Sequence, residues 1–235
     1  MISYVFDVDG TLSLHCQEMS TLHRRAFIKW MDGKRVYILT GSDKDKTVSQ
    51  VGIDLWSKTT AYQCCGNDIY SAGNKVYESQ WPLGEDSLIA DLENCCEISK
   101  YYKRCGNHIE IRKGMINYST IGRNCSQSER EEYFEWDKKV GERLAFQKLM
   151  AQLHPDLEVT IGGQISVDIY PKGKNKGQVF DWLKNEGPIY FFGDRTEEGG
   201  NDYPLAKKII DSGEPNRLYT VTHPRETLNI LRDLT

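Results

Sequence analysis

The chain has 235 residues, with 34 acidic against 30 basic side chains and a formal net charge of −4. That balance excludes a general nucleic-acid or membrane-surface binder, since both carry a basic excess, and leaves room only for a local basic pocket that takes a small anion. Length permits one large domain or two modest ones. Seven cysteines, an odd count with the adjacent pairs Cys64/Cys65 and Cys95/Cys96 and no CxxC spacing, read as reduced thiols of a cytoplasmic protein without zinc. No secretory leader precedes the first strand-like run, and no apolar run approaches the roughly 20 residues that span a bilayer.

Ile2 to Phe6 is a short apolar run halted at Asp7, as expected of a buried parallel strand. A helix follows, with Leu22, Phe27, Trp30 and Met31 expected roughly on one face and Gly33 at its end. A second strand, VYIL (36 to 39), stops at TGSD (40 to 43), and another helix starts from Asp43. The same alternation returns late in the chain: helix Gln178 to Lys184, strand Ile189 to Phe192, loop GDRTEEGGND, helix Pro204 to Ile210, strand Leu218 to Val221 and a last helix from Arg225. Strand, loop and helix in this order make a parallel α/β sheet. Between residues 81 and 174 the grammar becomes α+β, with a helix, strands at Gly106 to Arg112 and Met115 to Ser119, a long helical stretch from Gln127 to Leu153, and strands again. An inserted domain is expected, entered through WPLG (81 to 84) and left through YPKGKNKG (170 to 177), both carrying the Pro and Gly of hinges.

Ligands of a parallel sheet collect beyond the carboxyl ends of its strands. Asp7, Asp9 and Thr11 follow the first apolar run, Thr40 and Ser42 the second, and Asp194 the run before GDRTEEGGND, with Asn201 and Asp202 in the same loop; Lys176 opens the preceding helix. Carboxylates this close repel one another unless something positive compensates. A hard cation such as Mg2+, which takes oxygen ligands and keeps positions open for phosphate, answers that need together with the lysine. Each piece alone has a bland reading, as a turn, a cap or a solvated lysine. Their coincidence at the ends of predicted elements favours a site.

In the inserted segment, Arg112, Arg123 and Arg130 flank a helix start where Ser126 and Glu129 have capping-box spacing. Guanidinium forks beside a helix N-terminus suit a phosphate; read as solvated instead, they would pair with Glu131 or Glu132. In GGQISVDIY, alternation places Gln164, Ser166 and Asp168 on one strand face and Ile165, Val167 and Ile169 on the other. The polar face offers the groups that hydrogen-bond sugar hydroxyls.

The order DVDGT, TGSD, Lys176, GDRTEEGGND resembles the haloacid dehalogenase superfamily of phosphoryl-transfer enzymes. The stretches GNHIEIRKGMINYSTIGRNCSQSEREEYFEWDKK (106 to 139) and IGGQISVDIYP (161 to 171) resemble the cap domain of eukaryotic-type phosphomannomutases. The resemblance implies an α/β protein with a parallel Rossmann-like core domain, residues 1–80 and 175–235, and an inserted α+β cap domain, residues 81–174. It further implies interconversion of mannose 6-phosphate and mannose 1-phosphate through an aspartyl-phosphate and a hexose 1,6-bisphosphate activator, feeding nucleotide-sugar synthesis, with small sugar phosphates as the ligands and a homodimer formed through the cap. By the same resemblance Asp7 is the nucleophile and Asp9 the general acid and base; Ser42 and Lys176 hold the transferring oxygens. Mg2+ is bound by Asp7, the backbone carbonyl of Asp9 and Asp194, supported by Asn201 and Asp202. Arg112, Arg123 and Arg130 anchor the distal phosphate, and Ser166 and Asp168 read the sugar. One departure stands out: the family's arginine nine residues after the nucleophile is Cys16 here. His15, Arg24 or Arg25 are the candidate substitutes, and a sugar-phosphate phosphatase is the alternative activity. A non-catalytic sugar-phosphate binder is disfavoured, having no need of both Asp7 and Asp9.

Overall fold

The computed structural model describes residues 1–79 and 86–234. The WPLG segment expected as the entry linker lies outside the described residues. The chain divides into two compact units, Met1–Ser79 with Lys174–Thr235, and Gln80–Gly173.

The first segment runs β1 (Ser3–Phe6), α1 (Thr21–Trp30), β2 (Arg35–Leu39), α2 (Lys44–Val51), α3 (Ile53–Trp56), β3 (Thr60–Gln63), β4 (Asp68–Ser71) and β5 (Asn74–Glu78). Ser20 caps α1 by accepting from the His23 N–H, and Asp43 caps α2 by accepting from that of Lys46. Phe27 turns inward from α1, but Leu22 is 79% exposed. Five residues separate the two, about 140° around a helix, so the single face expected for them does not form. The inserted segment holds α4 (Asp86–Ile98), β6 (Ile109–Arg112), β7 (Met115–Tyr118), α5 (Gln127–Val140), α6 (Glu142–Leu153), β8 (Leu157–Gly162) and β9 (Ser166–Pro171). The long helical stretch expected here is two helices, parted where Gly141 takes a left-handed conformation at φ 71°. The chain then closes with α7 (Gln178–Leu183), β10 (Ile189–Gly193), α8 (Tyr203–Ser212), β11 (Arg217–Thr220) and α9 (Pro224–Asp233).

In the first unit seven strands form one sheet in the order β11-β10-β1-β2-β3-β4-β5. Pairing is parallel from β11 through β3, and β4 and β5 add an antiparallel edge. Alternation along β1 divides the core between two sheet faces. Tyr4 and Phe6 pack with Phe27, Leu55 and Leu231, while Val5 packs with Val179, Phe191, Leu205 and Ile209. Crossovers run from β1 to β2 on one side, and β10 pairs on the other, so the strand order reverses between β1 and β10. That reversal opens a crevice beyond the strand ends, where Asp7 and Asp194 stand.

The second unit carries an antiparallel sheet in the order β6-β7-β9-β8. Leu88 and Leu92 of α4 and Phe146 and Met150 of α6 cover one face, formed by Ile116, Tyr118, Val159, Val167 and Ile169. Glu110, Asn117, Asp168 and Thr160 are aligned across all four strands, on the alternate positions. All seven cysteines are free thiols. Among the described residues no helix is long and apolar enough to cross a membrane.

Candidate active site

β1 delivers Asp7 into the crevice almost fully buried. Its Oδ1 accepts a hydrogen bond from Lys176 Nζ at 2.6 Å, and the same ammonium donates to Asp202 Oδ1 at 2.7 Å. Lys176 is fully buried, so water cannot share its charge. Burial alone would lower the lysine pKa, but Asp202 and Asp7 outweigh it and raise it well above the ordinary value. Burial pushes the Asp7 carboxyl up to about 7; Lys176 opposes that rise and Asp202 adds to it. Asp194 is raised as well, by burial and then by Asp7 and Asp202. Lys176 bonds Asp7 and Asp202, and Arg195 Nε lies 3.8 Å from Asp194 Oδ2, so the three carboxylates, whose oxygens lie within 4.8 Å of one another, still outnumber the cations beside them.

That imbalance fits a divalent cation, and an all-oxygen donor set fits a hard one. The donors are not equivalent. Asp202 Oδ1 is taken by Lys176, and its Oδ2 accepts from the N–H groups of Asp194 (3.2 Å) and Arg195 (3.0 Å). Asp202 thus orients the lysine and the loop, leaving Asp7 and Asp194 as the more open donors. Asn201 is half-buried one residue earlier. Glycine is required at position 10: φ is 89°, and a Cβ there would stand 2.5 Å from Asp194 Oδ2.

Asp9 is held by a different set. Oδ1 accepts from the Cys16 N–H (2.7 Å) and Gln50 Nε2 (2.9 Å), and Oδ2 from Lys46 Nζ (3.2 Å). Burial would raise its pKa, but Lys46, the Cys16 N–H and Gln50 prevail and hold it well below the carboxylate range. Sequence reasoning missed Lys46 and Gln50. Their spacing of four puts them on one helical face, but spacing does not say which way that face points. Ser42 is buried after β2, its N–H donating to Thr40 Oγ1 at 3.1 Å. Its carbonyl accepts from Cys64 N at 3.0 Å, and the Cys65 N–H donates to the Thr40 carbonyl at 2.9 Å. Cys64 and Cys65 do so from left-handed conformations, φ 49° and 61°, pinning the loop that carries Ser42.

Cys16 is exposed and bonds Asp9 only through its backbone. Of the three candidate substitutes for an arginine there, His15 is the one at the site, with Nε2 3.5 Å from Asp194 Oδ2. Arg24 pairs with Glu18 and Asp54 instead, and Arg25 is exposed on α1.

In the second unit the capping box forms as expected, Ser126 and Glu129 each accepting from the other's N–H. Arg112 at the end of β6 and Arg130 in the first turn of α5 are buried, 7% and 8% exposed. Arg112 Nη2 donates to Glu110 Oε2 at 2.5 Å, Arg123 Nε lies 3.4 Å from the same oxygen, and Arg130 Nη2 reaches the Arg123 carbonyl at 3.5 Å. Arg112 and Arg123 thus share one carboxylate oxygen, and Arg130 bonds the backbone of Arg123. Glu131 and Glu132 accept from Gln127 and Tyr102, and the carboxylate set against the arginines is Glu110, which sequence reasoning missed. Also missed was Asn117, whose Nδ2 donates to Asp168 Oδ1 at 2.7 Å. Alternation on β7 pointed to it, between the apolar Ile116 and Tyr118 on the opposite face. Ser166 and Asp168 are both buried, with Ser166 Oγ 3.5 Å from the Gly162 carbonyl. Gln164 lies in the turn before β9 rather than on the strand.

Among solved structures, the C-terminal domain of trehalose-6-phosphate phosphatase from C. albicans is similar at a TM-score of 0.69 and 15% identity, over 99% of this chain and 91% of that one. A haloacid dehalogenase-like hydrolase from Bacteroides thetaiotaomicron is similar at 0.59 and 13%, over 99% and 98%. These likenesses show the fold, that of haloacid dehalogenase-like hydrolases. The model of the eukaryotic phosphomannomutase family matches residues 24–235. Phosphomannomutases are similar over nearly the whole chain: that of Encephalitozoon cuniculi is 39% identical over 92% of this chain and 90% of its own, and that of Arabidopsis thaliana 35% over 95% and 92%. That of Saccharomyces cerevisiae is 34% identical over 98% and 92%. The chain belongs to the eukaryotic phosphomannomutase family.

Proposed function

We propose that the protein interconverts mannose 6-phosphate and mannose 1-phosphate, through an aspartyl-phosphate and a hexose 1,6-bisphosphate. The observation that supports this reading is that Arg112 and Arg123 share Glu110 Oε2 while Arg130 bonds the Arg123 carbonyl, a set read as a second phosphate site. A phosphatase needs only the acidic crevice; a mutase must hold a doubly phosphorylated sugar in either orientation.

Asp7, fixed by Lys176, carries the phosphoryl group. A hexose 1-phosphate presents its 6-hydroxyl to the phosphorus; Asp9, held ionised, accepts the hydroxyl proton as the new P–O bond forms and the bond to Asp7 breaks. In the second half, with the bisphosphate reversed, Asp7 attacks the other phosphorus and Asp9 returns the proton to the departing sugar oxygen. Ser42 and Lys176 hold the transferring oxygens. Asp7, Asp194 and the Asp9 carbonyl are the residues to hold Mg2+, with Asp202 and Asn201 in support, and the ion when bound draws negative charge off the transferring group. The arginines grip the distal phosphate, each charge-assisted bond contributing roughly 1.5–3 kcal/mol, while Ser166 and Asp168 bind sugar hydroxyls. Catalytic amounts of bisphosphate serve as activator. The seven free thiols support a cytoplasmic setting, and Ile98, Leu149 and Leu153, exposed on the second unit, support a dimer formed through it.

For transfer to sugar to exceed hydrolysis a hundredfold, the two barriers must differ by about 2.7 kcal/mol. Cys16, in place of the family's arginine, favours a second reading in which part of that margin is lost and the enzyme releases phosphate as a sugar-phosphate phosphatase. One assay decides: sugar 1-phosphate with Mg2+ and catalytic bisphosphate, measuring hexose 6-phosphate and free phosphate together. Hexose 6-phosphate in excess supports the mutase, and phosphate in excess refutes it.

A further inference from the structure

We propose that Glu110 is a resident counter-ion of the arginine cluster, a positioning residue that limits how tightly the distal phosphate is held. The inference rests on the reading of Arg112, Arg123 and Arg130 as the distal phosphate site. One oxygen, Glu110 Oε2, meets Arg112 Nη2 at 2.5 Å and Arg123 Nε at 3.4 Å. A single oxygen bonded by one guanidinium and within ion-pair distance of a second resembles the arrangement a phosphate oxygen takes between arginine forks. The carboxylate therefore stands where a ligand oxygen belongs.

Glu110 sets a negative charge between the guanidiniums of Arg112 and Arg123, which would otherwise repel each other. A phosphate dianion entering the cluster meets that carboxylate as a like charge and must displace it. Glu110 is able to yield: its side chain is 29% exposed, and it lies on β6, an edge strand. Arg112, only 4% exposed at its side chain, is the fixed partner. Displacement costs affinity, which suits a mutase. A bisphosphate held in one orientation must let go and reverse before the second transfer, so an anchor without a competing anion would slow turnover.

This gives a sign opposite to that of a merely structural ion pair. Removing a carboxylate that only holds arginines in place weakens phosphate binding; removing one that competes with phosphate strengthens it. The test is calorimetric binding of hexose 1,6-bisphosphate with Mg2+, in an Asp7→Asn background that cannot accept a phosphoryl group. Glu110→Gln, Glu110→Ala and Arg123→Ala are compared in that background. Glu110→Gln is expected to bind about tenfold more tightly, the scale of removing one partly screened like charge. In the enzyme with Asp7 intact, Glu110→Gln should lower KM and kcat together, a split that misplaced arginines would not give. Unchanged or weaker binding by both Glu110 variants, with Arg123→Ala also weak, overturns the counter-ion role and leaves the phosphate site standing. Arg123→Ala binding as well as its parent overturns the site and this inference with it. Because Glu110 lies at a sheet edge and outside the apolar face, both replacements leave the packed core untouched.

Discussion

Lys176→Met removes the buried ammonium from three clustered carboxylates. Lys176 is fully buried and lies 2.6 Å from Asp7 and 2.7 Å from Asp202, while Asp194 shares the same 4.8 Å neighbourhood. Methionine fills most of the space but leaves both ion pairs broken from one side. Removing one partner of a buried pair costs roughly 3–5 kcal/mol, because the other stays behind uncompensated. At about 2–4 °C per kcal/mol for a chain of this size, metal-free Lys176→Met should melt roughly 6–20 °C below wild type. The same charge arithmetic predicts a second sign. With the ammonium gone the carboxylates attract a divalent cation more strongly, so added Mg2+ should raise the melting temperature of the variant more than that of wild type. Turnover should fall at least about a hundredfold if Lys176 is, as proposed, an oriented donor at the transferring oxygens. Differential scanning calorimetry with and without Mg2+ checks both signs. A variant melting within about 2 °C of wild type, or gaining no more than wild type from Mg2+, refutes the reasoning.

Three further outcomes are expected from the same geometry. Arg123→Ala and Arg130→Ala should each weaken hexose bisphosphate activation about tenfold or more while affecting hydrolysis of a small phosphomonoester far less; equal losses on both substrates count against a distal-phosphate role. Gly10→Ala drives a Cβ to 2.5 Å from Asp194 Oδ2 at φ 89°, so Asp194 must shift, and kcat should fall about a hundredfold with a parallel loss of Mg2+ affinity; near-normal titration and turnover would show the crevice does not depend on that close approach. Glu129, whose bonds from the Ser126 backbone and side chain and from Lys103 lower its pKa to about 2 from 4.5, stabilises the start of α5 in its ionised form. A depressed folded-state pKa gives stability that is complete above about pH 4.5 and lost as pH falls toward 2. The urea midpoints of wild type and Glu129→Ala should therefore differ at pH 7, draw together below about pH 4.5 and converge near pH 2, whereas a difference independent of pH would contradict the cap.

Much of the fold was legible because β1, β2 and β10 are apolar runs buried on both faces, each ending abruptly at a polar residue. The edge made by β3, β4 and β5 was not. TAYQ, DIYS and NKVYE are short and half polar, and their register depends on the turn at Cys64 to Gly66, which no composition signal announces. The helix break at Gly141 was visible as a glycine yet overridden by the apolar period on either side. In the site, Asp7, Asp194, Asp202 and Lys176 declared themselves by position at element ends, and the structure brings them together. The groups that tune them stayed hidden. Lys46 and Gln50 reach Asp9 from a helix whose facing depends on tertiary packing. Glu110 shares a strand face with Arg112 two residues on, but it meets Arg123 only because a loop folds onto the hairpin. Pairings of that kind belong to topology, not to spacing.

The mutase mechanism proposed for this crevice turns on Asp7 as the residue that carries phosphate between the two forms of the sugar. Brief mixing with hexose 1,6-bisphosphate and Mg2+, with acid quench and peptide mass analysis, should find one phosphoryl group on the peptide from the end of β1, absent in Asp7→Asn. A protein that turns over sugar phosphates without ever carrying that group, or carries it on another residue, contradicts that role.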